Sequence, residues 1–165
     1  SADIDVGLGM LPADRDEYLT EALVEGPLVA LLPRDHPLAR RRQLKWADLA
    51  ATPLVALTPE NSFRQFLDGC FARLDLQPRI AVEVVQLSTV ISLVEAGFGA
   101  AIMPPYGALV PGEGNSVVRP LRDPVVRSEI ALIHDRFRSP SAAAAAFIEV
   151  ARDVVAGRSR PLRVT

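Results

Sequence analysis

Short apolar runs alternate with helical segments over most of this chain, and this order constrains the fold more than any other feature. The run 28–32 is apolar throughout and ends at Pro33, which is typical of a strand buried on both faces. Apolar residues at steps of three and four predict a helix over 62–75, and alternation at 80–84 predicts a strand before a helix that begins at Ser88. Such alternation predicts an α/β domain with largely parallel strand pairing.

The two ends of the chain carry weaker patterns. Residues 3–9 alternate as a strand does, and Ser139-Pro140 predicts the start of a helix that runs to about Ala156. The inward side of that helix is predicted to hold Ala144, Phe147, Ile148, Ala151 and Val155. The tail 158–165 has three arginines and little apolar content, so we expect it to be mobile.

Composition excludes several classes of protein. With 18 basic and 20 acidic residues the formal net charge is -2, so a stand-alone nucleic-acid-binding module is not expected. Cys70 is the single cysteine and can form neither an internal disulfide nor a zinc finger, which fits a reducing compartment. No apolar run approaches the ~18 residues that cross a bilayer, and residues 1–10 lack the basic start of a secretory signal. We therefore expect a soluble, cytoplasmic protein with no membrane partner.

Motifs for catalysis, cofactors and metals are absent from the sequence. His134 precedes Asp135, but no G-x-S-x-G motif supplies a serine nucleophile, and neither G-x-G-x-x-G nor a P-loop is present. Asp3 and Asp5 lack the further ligands of a calcium loop. Cys70 lies on the apolar face of the 62–75 helix and is expected in the core. We expect no enzyme activity, no cofactor and no metal.

Several segments together resemble the effector-binding domain of LysR-type transcriptional regulators. The middle segment is the most recognisable: Ser88-Thr89 opens a helix that passes through LVEAGFG at 93–99 to Ile102-Met103-Pro104. The other matching segments are 3–7 (DIDVG), 28–32 (LVALL), 36–39 (HPLA), 48–49 ahead of 53–55 (PLV), and 139–140 leading to 146–147. The resemblance covers residues 3 to about 155.

The resemblance implies a periplasmic-binding-protein-like (type II) fold of two α/β lobes joined by two crossover strands, with a small effector between the lobes. Residues 28–121 would form a complete second lobe, whereas 1–27 and 122–157 would form part of the first. Family members also begin with a winged helix-turn-helix domain and a linker helix, which are not found here. We therefore expect a truncated or processed form that contacts DNA only through that absent domain and that forms a homo-oligomer.

Candidate effector-binding residues lie where strands give way to helices. Ser88 and Thr89 sit at a helix start, where free N–H groups and a partial positive charge favour an anion; an ordinary helix cap is the alternative. The resemblance implies that the Thr89 position contributes to the effector pocket. The turn from Thr58 to Phe63 is analogous, with Asn61 or Ser62 as the cap. Met103, Pro104 and Pro105 end a strand on the same rim, where they either line a pocket or simply terminate the strand.

Three functions remain open from the sequence. The first is the sensory domain of a transcriptional regulator that binds a small, anionic metabolite. The second is a solute-binding receptor of a transporter, and the third is a small α/β enzyme with an unrecognised catalytic group. The sequence that precedes Ser1 would separate the first two, because a helix-turn-helix indicates a regulator and a signal peptide indicates a receptor.

Overall fold

The structure, a computed structural model, describes residues 5–10, 18–104 and 114–157. The strands in these ranges are β1 (Gly7–Gly9), β2 (Tyr18–Pro27), β3 (Val29–Pro33), β4 (Leu44–Lys45), β5 (Leu54–Leu57), β6 (Ile80–Val84), β7 (Ala101–Met103), β8 (Ser116–Arg122) and β9 (Arg127–Asp135). The helices are α1 (Trp46–Ala50), α2 (Ser62–Arg73), α3 (Leu87–Glu95) and α4 (Ala142–Gly157), with a 3-10 turn at Pro37–Arg40.

The chain divides into two compact units. Within the described residues, the first contains 5–10, 18–25 and 128–157, and the second contains 26–104 and 114–127. The assignment of these units to a partial first lobe and a complete second lobe stays a prediction.

The first unit contains a three-stranded sheet in the order β1-β9-β2. β1 pairs antiparallel with β9 and places Leu8 opposite Leu132. The predicted strand 3–9 is thus shorter in the structure, because Asp5 and Val6 lie outside it; residues 1–4 and the tail 158–165 lie outside the described residues.

Helix α4 begins two residues later than the sequence predicts. The hydroxyl of Ser141 accepts a hydrogen bond from the Ala144 N–H at 3.2 Å, so the cap is Ser141 rather than Ser139. Ala144 and Ile148 are buried, but Phe147 is 44% exposed, so its predicted inward position is wrong. Phe147 precedes Ile148 by one residue, about 100° around the helix, which takes its ring off the buried stripe.

The second unit is built around β3, whose five residues are all buried. β3 lies between β7 and β8, and β4 lies beyond β8. The β5–β6 pair joins this sheet through Ala100, whose carbonyl accepts the Val55 N–H at 2.8 Å and whose N–H donates to Pro53 at 2.9 Å. Leu54 and Ala100 form a parallel bridge, so the chain that enters β7 runs parallel to β5.

The expectation of largely parallel pairing is wrong for the centre of this sheet. β3 is antiparallel to both β7 and β8, and the described parallel pairs are β4 with β8 and β5 with β6. The chain enters the second unit ahead of β3 and leaves it after β8, and Leu28 N–H donates to the Val126 carbonyl at 2.8 Å where the two segments meet. β3 follows the point of entry and β8 precedes the point of exit. Because these two strands are neighbours, they run in opposite directions.

The core of the second unit centres on Trp46. The indole is 1% exposed, its Nε1 donates to the Pro124 carbonyl at 3.0 Å, and its ring meets Phe71 edge-on at 5.1 Å between centroids. Cys70 is also buried, as the sequence predicts, and burial raises the pKa of its thiol.

Gly99 makes the contact between β5 and β7 possible. A Cβ at this position would lie 2.4 Å from the carbonyl oxygen of Pro53, and the glycine has a φ of +155°. No other residue type fits without a shift of the backbone.

The described residues include no helix with the length and apolar character needed to span a membrane.

Candidate functional site

Strands β5 and β6 end side by side, and each is followed by a helix. Leu57 and Val84 are register partners in this parallel pair, and the Thr58 N–H donates to the Val84 carbonyl at 3.0 Å. Parallel strands present their carboxyl ends at one edge, so the starts of α2 and α3 lie at the same edge of the second unit. We call residues 58–62 and 85–89 the β5/β6 edge.

The start of α2 is capped by Asn61. Its side-chain oxygen accepts the Phe63 N–H at 2.9 Å, which settles the choice between Asn61 and Ser62 that the sequence left open. Ser62 is the first helical residue and its side chain is exposed. Thr58 is half-buried, and its carbonyl accepts the Asn61 N–H at 3.0 Å.

Helix α3 begins at Leu87, one residue before the predicted start. The cap position belongs to Gln86, which makes no side-chain capping bond, and its carbonyl accepts the N–H groups of Thr89 at 3.1 Å and Val90 at 3.2 Å. Ser88 and Thr89 are therefore the second and third helical residues. The prediction that Ser88 caps the helix is wrong, because the extended backbone that a cap requires occurs at Gln86.

The α3 start has unused hydrogen-bonding capacity. Among the described residues, nothing accepts from the N–H groups of Leu87 and Ser88 or bonds the hydroxyls of Ser88 and Thr89, both of which are exposed. A nine-residue helix also carries a partial positive charge at this end. Free donors and positive potential together suit a carboxylate or phosphate.

The other predicted site residues lie deeper. The Phe63 ring is 7% exposed and stacks on Phe66 at 6.4 Å between centroids. Met103 is fully buried at the end of β7, and Pro104 is buried beside it. Pro105 lies outside the described residues. The edge thus brings Thr58, Ser62, Ser88 and Thr89 together, whereas Phe63 and Met103 belong to the core.

An apolar cavity of about 20 Å³ lies beneath the edge, among α2, α3 and β5. Its lining includes Leu57, Phe63, Leu67, Val90 and Ile102. The volume is close to that of a single water-sized sphere, so it is a packing gap rather than space for a metabolite.

Arg64 is the residue that the sequence analysis missed. Its side chain is 11% exposed and pairs with Asp68 at 2.9 Å and with Glu83 at 2.7 Å. Burial disfavours the charged guanidinium, but the hydrogen bonds that Arg64 donates to Glu83 and Asp68 outweigh this effect and hold the pKa of Arg64 above its ordinary value. The spacing of Arg64 and Asp68 on one helix was a visible signal; the contact with Glu83 was not.

The described ranges contain no group of three or more His, Cys, Asp or Glu side chains that could hold a metal ion. The site therefore consists of hydroxyls, amide groups and one charge network.

Comparison with known families identifies the domain. The chain matches the LysR substrate binding domain over residues 1–156. It belongs to this family. The resemblance found in the sequence is thereby confirmed.

A curated relative of this LysR-family chain is the uncharacterised HTH-type transcriptional regulator YfeR of Shigella flexneri. The two are 31% identical over 160 residues, which cover 94% of this chain and 52% of YfeR. The chain thus spans about half the length of this relative.

Solved structures confirm the fold of the LysR-family chain. The regulatory domain of Synechocystis PCC6803 CcmR, solved with 2-PG, superposes with a TM-score of 0.81 at 15% identity, covering 93% of this chain and 74% of that one. The effector-binding domain of QuiR with shikimate gives 0.79 at 23% identity, covering 93% and 73%. Full-length CbnR, solved with its target DNA, gives 0.74 at 23%, covering 93% and 52%. The fold is therefore the mixed α/β, periplasmic-binding-protein-like (type II) fold of these domains.

Proposed function

We propose that this chain is the ligand-sensing part of a LysR-type transcriptional regulator and that it binds a small anionic metabolite at the β5/β6 edge. Family membership over residues 1–156 supports the regulatory role. It favours this role over a transporter receptor or an unrecognised enzyme, and ligand sensing requires neither a cofactor nor a catalytic group.

The unused donors at the α3 start carry the proposal for the site. The hydroxyls of Ser88 and Thr89 do not cap the helix, because the cap position belongs to Gln86, so they are available to a ligand. We assign direct ligand contacts to Ser88 and Thr89, with further contacts from Thr58 and Ser62 on the same edge. Phe63, Met103 and Pro104, with Pro105, would support these residues from the core side.

The charge of the ligand follows from the same groups. The edge offers hydroxyls and N–H donors at two helix starts, and these outnumber its one ionisable side chain, the exposed carboxylate of Glu60. A carboxylate or phosphate accepts from several such donors at once and gains from both helix dipoles. Shikimate, which QuiR binds in its solved structure, is a carboxylate of suitable size for a first trial.

The remaining partners follow from charge and surface. With a formal net charge of -2, DNA contact would be made by a DNA-binding domain outside this chain, and the whole protein would act in the cytoplasm. A homo-oligomer is supported by the apolar stripe on α4, where Phe147, Val150 and Val154 are 44%, 59% and 48% exposed. Sedimentation of the purified chain tests this, and a clean monomer in concentrated solution would count against it.

The site is tested by amide NMR of the chain during titration with shikimate, benzoate and a phosphorylated three-carbon acid. We expect a binding anion to shift the Leu87 and Ser88 amides most, while the central Leu31 amide of β3 stays unchanged. A ligand that binds and leaves both α3 amides unmoved would refute the assignment. If no anion of the panel binds, the preference for small anions fails with it.

A further inference from the structure

One guanidinium connects three of the four elements that meet at the β5/β6 edge, namely β5, β6 and α2. Arg64, on the first turn of α2, donates from Nη1 to the carbonyl of Leu57 at 2.8 Å and to Glu83 Oε1 at 2.7 Å, and from Nε to Asp68 Oδ1 at 2.9 Å. Leu57 is the last residue of β5, and Glu83 is the last but one of β6. The bond between Thr58 and Val84 lies one residue further along both strands.

We propose that Arg64 is a positioning residue: it holds the ends of β5 and β6 and the start of α2 in register, so that Thr58, Ser62 and Ser88 stay on one edge. The importance of that edge rests on the proposed function. The mechanical role of Arg64 does not, and it is measurable without a ligand.

Local packing supports this role. The apolar cavity lies directly beneath, and Leu57, Phe63, Arg64 and Asp68 all line it. Side chains around a void lose dispersion contacts on that side, so apolar packing alone fixes the end of β5 less firmly than a filled core would. The polar contacts of Arg64 compensate for these lost dispersion contacts at the end of β5.

The chemistry of arginine suits the task. Its planar guanidinium presents donors in several fixed directions and stays charged, so it can serve a carbonyl and two carboxylates at once. Lysine has one flexible ammonium group and cannot reproduce this geometry.

Hydrogen exchange of the unliganded chain tests the inference. Arg64→Met keeps most of the apolar stem and removes the donors, so the Thr58 amide should exchange at least tenfold faster relative to the Leu31 amide in central strand β3, which reports global opening. Arg73→Met is the matched control, because Arg73 is on the same helix, is exposed, and makes a single side-chain hydrogen bond within the described residues, to the Cys70 sulfur at 3.4 Å. It should leave the ratio of the two exchange rates unchanged.

A second variant keeps the test decisive if Arg64→Met does not fold. Glu83→Gln removes one charge at a half-exposed position and should speed Thr58 exchange several-fold without affecting Leu31. If Thr58 and Leu31 change in proportion in every folded variant, or Thr58 does not change, the inference is overturned.

A ligand-binding measurement tests the role of Arg64 independently of the proposed function. If shikimate or another anion of the panel shifts the α3 amides, Arg64→Met should weaken its binding at least tenfold while Arg73→Met leaves it unchanged. Unchanged affinity together with unchanged Thr58 exchange refutes the role of Arg64 and leaves the site standing. Faster Thr58 exchange in a chain that binds none of the anions supports Arg64 and refutes the proposed ligand class.

Discussion

Replacing Gly99 by alanine should destabilise the second unit more than the same change at Gly69, Gly97 or Gly114, where the Cβ position has open space around it. The added Cβ would lie 2.4 Å from the Pro53 carbonyl oxygen, a backbone atom that cannot rotate away. Relief of this clash requires Gly99 and Pro53 to separate, which breaks the bond from the Ala100 N–H to Pro53 and weakens the bond from the Val55 N–H to Ala100.

The magnitude follows from these two losses and the backbone conformation. Each hydrogen bond contributes about 0.5–1.5 kcal/mol, and a side chain at a φ of +155° adds strain of about 1–3 kcal/mol. The sum is about 2–6 kcal/mol, and for a chain of this length each kcal/mol lowers Tm by roughly 2–4 °C. Urea unfolding followed by circular dichroism measures the free-energy change directly.

Two other glycines give matched controls. Gly97 ends α3 with a φ of +85° but has open space around its Cβ position, so Gly97→Ala should cost only the conformational strain, about 1 kcal/mol. Gly69 lies inside α2, also with open space, and Gly69→Ala should stabilise the chain by about 0.5–1 kcal/mol. If Gly99→Ala costs no more than Gly97→Ala, the argument from the Pro53 contact is refuted.

Three further predictions follow from individual side chains. Thr89→Val should weaken an anionic ligand by about 1–3 kcal/mol, the range for a hydrogen bond to a charged group, with Tm nearly unchanged; calorimetry showing the reverse would make Thr89 structural. Asp75→Gly should stabilise the chain by up to about 1 kcal/mol, because Asp75, two residues after the end of α2, has a φ of +53°, and a lower urea midpoint would contradict this. The raised pKa of Cys70 means that less thiolate forms at any pH below it, so alkylation at pH 8 should be much slower in the folded chain than in urea. Equal rates would show that the thiol is accessible and unperturbed.

Regular, locally determined elements could be predicted from the sequence. Ile80–Val84 has the predicted bounds, because this strand is short and has a clear pattern with turn residues beside it. Helix starts were less accurate. Serine is a residue type that favours the cap position, so the sequence pointed to Ser88 and Ser139. The helices are instead capped at Gln86 and Ser141. Residue type alone does not show which of several neighbouring residues takes the extended cap conformation.

Contacts that depend on strand order could not be predicted from the sequence. The antiparallel pairing of β3 follows from where the chain enters and leaves the second unit, which alternation of elements does not encode. Arg64 meets Glu83 only because β5 and β6 pair in parallel with Leu57 beside Val84. The pattern of α2 says nothing about a partner of Arg64 nineteen residues away.

The buried indole of Trp46 also determines what optical spectroscopy can observe. The chain has one tryptophan, and it belongs to the second unit, so fluorescence excited at the indole band follows the unfolding of that unit alone. Circular dichroism records the helices of both units, including α4. Denaturation curves from the two methods therefore measure whether the units unfold together, and a fluorescence midpoint at higher urea would identify the second unit as the more stable one.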